Sequence, residues 1–172
     1  MLMFDTLREA TKERGKFASS YVNINEKHRI SVHKQEGHLK NFDELKYKKT
    51  DKFFLGHCQA PTSSERTFKM AFSHPFQCGT WMCAHNGVIT NFKELNKKHC
   101  KWNKIPVDSS IIPALLVNFQ KDNSAVDVTE LILKVLNLVE GTFAIFLIDT
   151  EDASKVYLAR QGSTLFANKK TG

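Results

Sequence analysis

The sequence predicts an α+β fold in which sheets are covered by helices. Strand-like patterns lie towards both ends of the chain, and the clearest helical patterns lie between them. A chain of 172 residues is long enough for one domain with a sizeable core, and this one contains no repeats and no low-complexity linker. We therefore expect a single domain over residues 1–172.

The predicted strands are runs of alternating or continuous apolar residues bounded by turn residues. SSYVNI and HRISVHK flank a short Asn-rich turn and predict a hairpin. Further strands are predicted at FFLGHCQ, WMCAHNG, TFAIFLID and KVYLAR, with STLFA as a last short one. The Asn86-Gly87 pair at the end of WMCAHNG is flanked by apolar residues and predicts a tight hairpin turn there, with VITN continuing beyond it.

The predicted helices have apolar residues three to four positions apart. Residues 2–13 form the first, and NFDELKY predicts a short second one. NFKELNKKH predicts a third, with Asn91 as N-cap and Glu94 three residues later in a variant of the capping box. Two longer amphipathic helices are predicted at SSIIPALLVNFQK, with Pro113 in its opening turn, and at SAVDVTELILKVLNLV.

The net charge is +7, and 20 of the 25 basic residues are lysines. A basic protein is a candidate for nucleic-acid binding, but base reading and bidentate phosphate contacts favour arginine. The lysines also lie in small separate clusters, at KYKKTDK, NKKHCKWNK and NKK. A solvated lysine-rich surface is the preferred interpretation, and non-specific nucleic-acid binding is the lesser alternative.

The sequence contains no targeting or membrane-spanning signal. It has no run of 18 apolar residues, and its first residues carry charges from Asp5 onward without an apolar signal-peptide segment. We therefore expect a cytoplasmic protein without a membrane partner, in which the four cysteines form no disulfides.

A zinc site is the one metal alternative that the sequence raises. His74, Cys78, Cys83 and His85 form the pattern H-x3-C-x4-C-x-H, which offers the imidazole and thiolate ligands that zinc binds. Structural zinc sites usually take paired ligands from two separated knuckles, which this spacing does not provide. We expect no metal site, and we expect His85, like His57, to help hold the strands and the turn without a chemical role.

Five segments in a fixed order carry a family resemblance: GHCQAPTSS, SHPF, AHNGVITNFKEL, VDSSII and ARQGSTL. Together they resemble the class II glutamine amidotransferase domain, a glutaminase of the N-terminal-nucleophile hydrolase type, and HNGVITNFKEL is the most specific match. The resemblance implies a four-layer αββα sandwich of two stacked antiparallel sheets. It also implies hydrolysis of glutamine to glutamate and ammonia, without a metal or organic cofactor.

The resemblance implies roles for individual residues. Asn86, through its side-chain NH2, and Gly87, through its backbone N–H, would form an oxyanion hole for the amide of glutamine. Asp108 would hold the α-amino group of glutamine, with an ordinary helix N-cap as the alternative. Thr62 would contact the glutamine end and His74 would line the pocket, with a structural histidine as the alternative for His74.

The sequence departs from the family pattern at three places. Gln59 stands where the family has an arginine for the α-carboxylate, and a neutral amide cannot form that charge-assisted fork. The family segment R-G-x-D-S-x-G is matched only at Arg14-Gly15. The family nucleophile is an N-terminal cysteine, whereas this sequence begins MLMFD, in the helix expected after the nucleophile's strand. We expect strands of the family fold to be missing at both ends.

Two functions therefore stay open. In the first, the chain is the glutaminase part of an amidotransferase, takes its cysteine nucleophile from residues outside this sequence, and passes ammonia to a synthase domain or partner protein. In the second, it is a catalytically silent module that binds a partner protein, an amino acid or a polyanion.

Overall fold

A computed structural model of the chain describes residues 15, 17–38, 48, 50–60, 67–122 and 127–165. These residues fall into two compact units. The first contains the residues up to Phe76 together with Thr150–Lys155, and the second contains Gln77–Asp149 and the residues from Val156 onward.

The sheet of the first unit has the strand order β2–β1–β3, with β1 at Ala18–Ile24, β2 at Ile30–Glu36 and β3 at Phe53–Gln59. Strand β1 is central, is buried along its whole length, and pairs antiparallel with both neighbours. The ring of Tyr21 stacks on those of His33, at 4.4 Å, and Phe54, at 5.2 Å. Such cross-strand aromatic contacts stabilise the pairing of all three strands.

Strands β1 and β2 form the predicted hairpin, and its turn follows from local chemistry. The Asn25 side-chain oxygen accepts hydrogen bonds from the backbone N–H groups of Lys27, at 2.9 Å, and Arg29, at 3.0 Å. His28 adopts a left-handed φ of 56°. An asparagine that binds the backbone two residues later is a common way to close a turn.

The second sheet has the order β4–β5–β6–β7, with strands at Phe76–Cys78, Trp81–Ile89, Gly141–Asp149 and Tyr157–Gln161. Three helices belong to the same unit: α1 at Phe92–His99, α2 at Ile111–Asp122 and α3 at Val128–Leu136. Alternate residues of β5 and β6 share one apolar core with the helices. From the strands this core takes Trp81, Cys83, Ile89, Phe143, Ile145 and Leu147.

The predicted start of the last helix was four residues too early. Helix α3 begins after Asp127, whose carboxylate accepts hydrogen bonds from the N–H groups of Thr129, at 2.8 Å, and Glu130, at 3.3 Å. The local signature for this start is Asp127 followed three residues later by Glu130. The start predicted at Ser124 followed from the apolar residues Ala125 and Val126, whereas the Asp127 cap sets the start of the helix in the structure.

The capping box predicted at Asn91 was wrong. Asn91 does precede α1, but its side chain makes no cap hydrogen bond. It bridges instead to the segment after α3, donating to the carbonyl of Leu138 at 2.9 Å and accepting from the N–H of Glu140 at 3.1 Å. The side chain therefore ties the start of α1 to the residues that lead into β6.

The α+β class with two antiparallel sheets is confirmed, as are the strands and helices predicted within the described residues, with two exceptions. The chain does not turn at Asn86-Gly87, and Ser163–Leu165 at the start of the predicted STLFA strand have no regular structure. The helices predicted at residues 2–13 and at NFDELKY lie outside the described residues. None of the described helices is long and apolar enough to cross a membrane.

We expect Asn91→Ala to lower the free energy of unfolding by about 1–2 kcal/mol, because two backbone groups lose their hydrogen-bond partner. Urea unfolding measures the loss. The matched control is Asn137→Ala, which removes an exposed asparagine from the end of α3. Equal stability of the two variants would show that the Asn91 bridge contributes nothing.

Candidate functional site

Strand β5 runs straight through His85-Asn86-Gly87, so the hairpin turn predicted there was wrong. Asn86 pairs with Ala144 and Gly87 with Phe143 in an unbroken antiparallel register with β6. An Asn-Gly pair favours a turn locally, but here the residues on both sides of it pair with one partner strand. The long-range pairing with β6 decides the conformation.

Gly87 allows the backbones of β5 and β6 to approach closely. Its φ is +142°, and a Cβ at this position would lie 2.1 Å from the carbonyl oxygen of Thr142 and 2.9 Å from Nε2 of His85. Residues with a side chain rarely adopt this φ, and no repacking of side chains would relieve a clash with backbone. Glycine is therefore required here by the fold.

The ring of His85 uses the space that Gly87 leaves. It is buried, with Nδ1 2.8 Å from Oγ of Ser109 and Nε2 3.2 Å from the carbonyl oxygen of Thr142. Burial lowers the pKa of His85, and the Thr142 carbonyl and the Asp108 charge raise it by less. Burial thus favours the neutral ring, in which Nε2–H donates to Thr142, because a carbonyl can only accept. Nδ1 and Oδ1 of Asp108 are then the two acceptors near the single proton of the Ser109 hydroxyl.

Asp108 is bound to the same strand. Its Oδ2 accepts a hydrogen bond of 2.8 Å from the N–H of Ile89, and Oγ of Ser109 lies 3.4 Å from its Oδ1. Asp108 opens a 3₁₀ turn, Asp108–Ser110, whose N-cap position is Val107, and no side-chain cap bond is formed. The alternative that Asp108 is an ordinary helix N-cap was therefore wrong.

Asn86 is exposed, and its amide makes no hydrogen bond to any described residue. It alternates with buried His85 and so points to the opposite face of β5, together with Val88, which is 54% exposed. Asn86, Gly87 and Ile89, whose N–H is bonded by Asp108, thus lie at one end of β5, with the Asn86 side chain on the face opposite His85. This placement leaves the Asn86 amide able to bind a ligand.

His74 lies in the first unit and is only 5% exposed. Its ring centroid is 4.1 Å from that of His57 and 4.8 Å from that of Phe76. The neighbouring carbonyls of Ser73 and Pro75 accept hydrogen bonds of 2.8 and 2.6 Å from Nζ of Lys34, whose pKa burial lowers to about 8. His74 therefore lies in a buried and well-held segment, which suits the structural alternative as well as a pocket wall.

Gln59 ends β3 two residues after His57 and is buried. Its Oε1 has no hydrogen-bond partner among the described residues. A Cβ on Gly15 would lie 2.4 Å from the backbone carbon of Gln59, so this glycine also makes a close backbone approach. Thr62 lies outside the described residues.

Three of the four ligands of the zinc alternative, Cys78, Cys83 and His85, lie in the second unit. Burial raises the pKa of Cys83 strongly, and burial with the nearby Cys78 raises that of Cys100 to about 11. Both thiols are therefore poor nucleophiles and ligands at neutral pH. Cys83 lies in the apolar core, and both ring nitrogens of His85 have partners. Within the described residues no group of three or more His, Cys, Asp or Glu side chains could hold a metal ion.

Known proteins resemble the chain in both sequence and fold. Glutamine–fructose-6-phosphate aminotransferase (isomerizing) of Bacillus spizizenii is 27% identical over 158 residues, which are 91% of this chain and 26% of that protein. The enzyme of that name from Lactococcus lactis is 32% identical over 113 residues, 64% of this chain and 18% of the relative. The chain thus spans roughly a fifth to a quarter of these curated relatives. No protein-family model matches it.

Among solved structures, glutamine phosphoribosylpyrophosphate amidotransferase from B. subtilis, in complex with ADP and GMP, aligns with a TM-score of 0.59 at 18% identity. The alignment covers 83% of this chain and 31% of that one. A second structure, described as the allosteric regulatory enzyme of purine biosynthesis, also gives 0.59, at 19% identity over 78% of this chain and 30% of its own. The resemblance to class II glutamine amidotransferases is confirmed. So is the predicted fold class, that of the N-terminal-nucleophile hydrolases.

His85 was expected to help hold the strands, and its contact with Thr142 of β6 confirms this. The sequence analysis did not single out Ser109, the second partner of the ring in this amidotransferase-like site. The sequence offered only a weak signal for these contacts. A histidine and a glycine two residues apart lie on one face of a strand, and the missing side chain of the glycine leaves room for the histidine ring to reach the next strand. The partners of that ring, at 109 and 142, are distant in sequence.

We expect Gly87→Ala to destabilise the protein by about 3 kcal/mol, because it combines backbone strain with a clash against backbone. Gly56→Ala is the matched control in β3, since a Cβ there meets nothing closer than 3.9 Å. The control should remain within about 1 kcal/mol of the wild type. Comparable urea midpoints for the two variants would contradict the close approach at Gly87.

We expect the stability of the wild type to fall as the pH drops below about 6.5, the ordinary pKa of histidine. The folded state lowers the pKa of His85, so between the two pKa values the unfolded chain binds more protons and stability rises with pH. His85→Gln removes this contribution while keeping an N–H for Thr142. Urea unfolding between pH 5 and 8 should therefore show a shallower slope for His85→Gln than for the wild type.

The control for this measurement is His28→Asn, which replaces an exposed histidine and tolerates its left-handed φ. Its slope with pH should match that of the wild type. A wild-type slope in His85→Gln would show that another group causes the acid sensitivity.

Proposed function

We propose that the chain is one glutamine amidotransferase-type domain, in which Asn86 and Gly87 stabilise the oxyanion formed when the side-chain amide of glutamine is attacked. The observation that carries this proposal is the exposed amide of Asn86, which bonds to no described residue and lies next to a glycine on a strand that is held from several directions. Oxyanion donors are effective when they are fixed before the reaction. Pairing with β6 and the contacts of His85 and Asp108 supply that rigidity.

The reaction needs a thiolate and a base. By resemblance, the thiolate of an N-terminal cysteine attacks the amide carbon, and its own free amine takes up the proton and returns it to the leaving ammonia. Water then hydrolyses the thioester and releases glutamate. Cys83 and Cys100 do not suit the task, because burial raises the pKa of each. The nucleophile in this proposal comes from residues outside the sequence.

Asp108 is proposed to bind the α-ammonium group of glutamine. Its Oδ2 is engaged by Ile89, while Oδ1 has only the 3.4 Å contact with Ser109 and keeps capacity for a cationic donor. Thr62, His74 and Gln59 are proposed to contact the rest of the substrate. A neutral amide at Gln59 costs about 1.5–3 kcal/mol for each charge-assisted bond that an arginine would make.

The released ammonia is proposed to pass to a synthase domain or partner protein. The names of the relatives support this, since aminotransferases and amidotransferases of this kind combine glutamine with a second substrate. The chain matches only 26% of the Bacillus spizizenii enzyme and 31% of the solved amidotransferase chain.

Gln59 favours a second candidate function, a silent module that binds a small amino acid without hydrolysing it. The neutral, buried Gln59 stands where the family has an arginine for the α-carboxylate, and its Oε1 has no partner among the described residues. Isothermal titration with glutamine, together with a glutamate-release assay, separates the two functions. Binding without turnover in the protein from its natural source supports the silent module.

We expect Asn86→Ala to lower glutaminase kcat by about 10²–10³-fold, the usual cost of one oxyanion donor. The assay uses the natural protein after its N-terminal residue has been determined by intact mass and sequencing. Val88→Ala is the matched control, because it truncates the next exposed side chain on the same strand face. Unchanged turnover in Asn86→Ala, or an equal loss in both variants, would contradict the assignment of Asn86 as an oxyanion donor.

A further inference from the structure

A groove beside α1 gathers four lysines that are spread over twelve positions of the sequence. Its lysines are Lys93, Lys97, Lys101 and Lys104, and all four are exposed. Its remaining lining comes from Phe92, Asn96, Asn103, Ile105 and Pro106. Between residues 91 and 107 there are five lysines and a single carboxylate, that of Glu94. We call this feature the lysine groove.

The fold explains why the lysines meet. Lys93 and Lys97 are one helical turn apart on α1 and so share a face. Lys101 and Lys104 follow on the loop after α1, where Nζ of Lys104 donates to the carbonyl of Lys101 at 2.9 Å. No salt bridge joins any of the four to a carboxylate of the described residues. Their charges are therefore available to a ligand.

The floor of the groove is rigid. Asn96 donates to the carbonyl of Asn103 at 3.0 Å, and Asn103 in turn accepts from the N–H of Ile105 at 3.2 Å and donates to Oγ of Ser110 at 3.0 Å. Oδ1 of Asn96 is buried and has no partner among the described residues.

An aromatic side chain lies next to the lysines in the chain. Trp102, between Lys101 and Asn103, is 48% exposed, which is unusual for so large an apolar residue. Lysine offers a point charge for phosphate without reading bases, and an exposed indole offers a face on which any base can stack.

From these observations we propose that the lysine groove binds single-stranded nucleic acid without sequence preference. Four phosphate contacts would come from the lysines and base stacking from Trp102. The groove is an open surface depression of about 410 Å³. The sequence analysis favoured a solvated lysine surface because the clusters looked separate, and the fold brings four lysines of one segment into one groove. The proposal does not depend on glutamine hydrolysis.

Fluorescence anisotropy of the full chain with a labelled 12-nucleotide oligo(dT), at 50–200 mM salt, tests this. For four phosphate contacts, log K should fall with log salt with a slope of about −3, at roughly −0.7 per contact on a single strand. Replacing the four groove lysines with glutamine should weaken binding more than tenfold at 50 mM salt. The charge-matched control replaces four exposed lysines elsewhere with glutamine: Lys27, Lys48, Lys52 and Lys155. An equal loss in both would show that net charge alone binds the strand, and would overturn the proposal.

Trp102 supplies a second readout. Binding should quench tryptophan fluorescence, because Trp81 is fully buried and only Trp102 is accessible. Trp102→Ala should lose the quenching and weaken binding several-fold, and Trp102→Phe should keep most of the affinity. Poly-glutamate of matched charge is the competing ligand. If it binds as tightly as oligo(dT), or if Trp102→Ala binds like the wild type, the groove is a site for acidic proteins instead.

Discussion

The close approach of two backbones, those of β5 and β6, is the constraint on which the second unit depends. A Cβ on Gly87 would lie 2.1 Å from the carbonyl oxygen of Thr142, and one on Gly141 would lie 2.1 Å from that of Val88. Both contacts are with backbone, so neither can be relieved by a rotamer change. The two glycines fix the register in which alternate residues of β5 face the helical core and Asn86 faces away from it.

A buried polar network connects this strand pair to the start of α2. His85 bridges Ser109 and Thr142, and Asp108 holds the N–H of Ile89. Buried polar groups are costly unless they are paired, so the network penalises any shift of the 3₁₀ turn relative to β5. Asp108 is thus held, through Ile89, to the strand whose pairing with β6 sets the position of Asn86. The same network therefore stabilises the packing of this unit and holds Asp108, a residue of the proposed site.

Local patterns predicted most of the strands and helices, and failed where distant partners decide the outcome. The hairpin at Asn25 and the α1 and α2 helices follow from turn chemistry and apolar period, which act over a few residues. Asn86-Gly87 has a strong local signal for a turn, and Asn91 has one for a helix cap. In the structure, however, Asn86 and Gly87 pair with β6, and the Asn91 side chain bonds to the segment after α3. The family resemblance, not a local pattern, indicated Asn86, Gly87 and Asp108 as candidate site residues. His85 was expected to hold the strands, but its partners Ser109 and Thr142 could not be predicted, because contacts 24 and 57 residues apart leave no local pattern.

Asn86 and Gly87 differ in what their presence implies. Gly87 is required by the strand pairing whether or not the chain performs any chemistry, since a side chain there would meet Thr142 and His85. A silent relative with this fold would need it as well. The Asn86 side chain has no such duty: it is exposed, and it bonds to no described residue. Many residues could take its place in a strand without loss of packing. The asparagine, more than the glycine, therefore points to a ligand and makes position 86 the one at which hydrolase and binding module can be told apart.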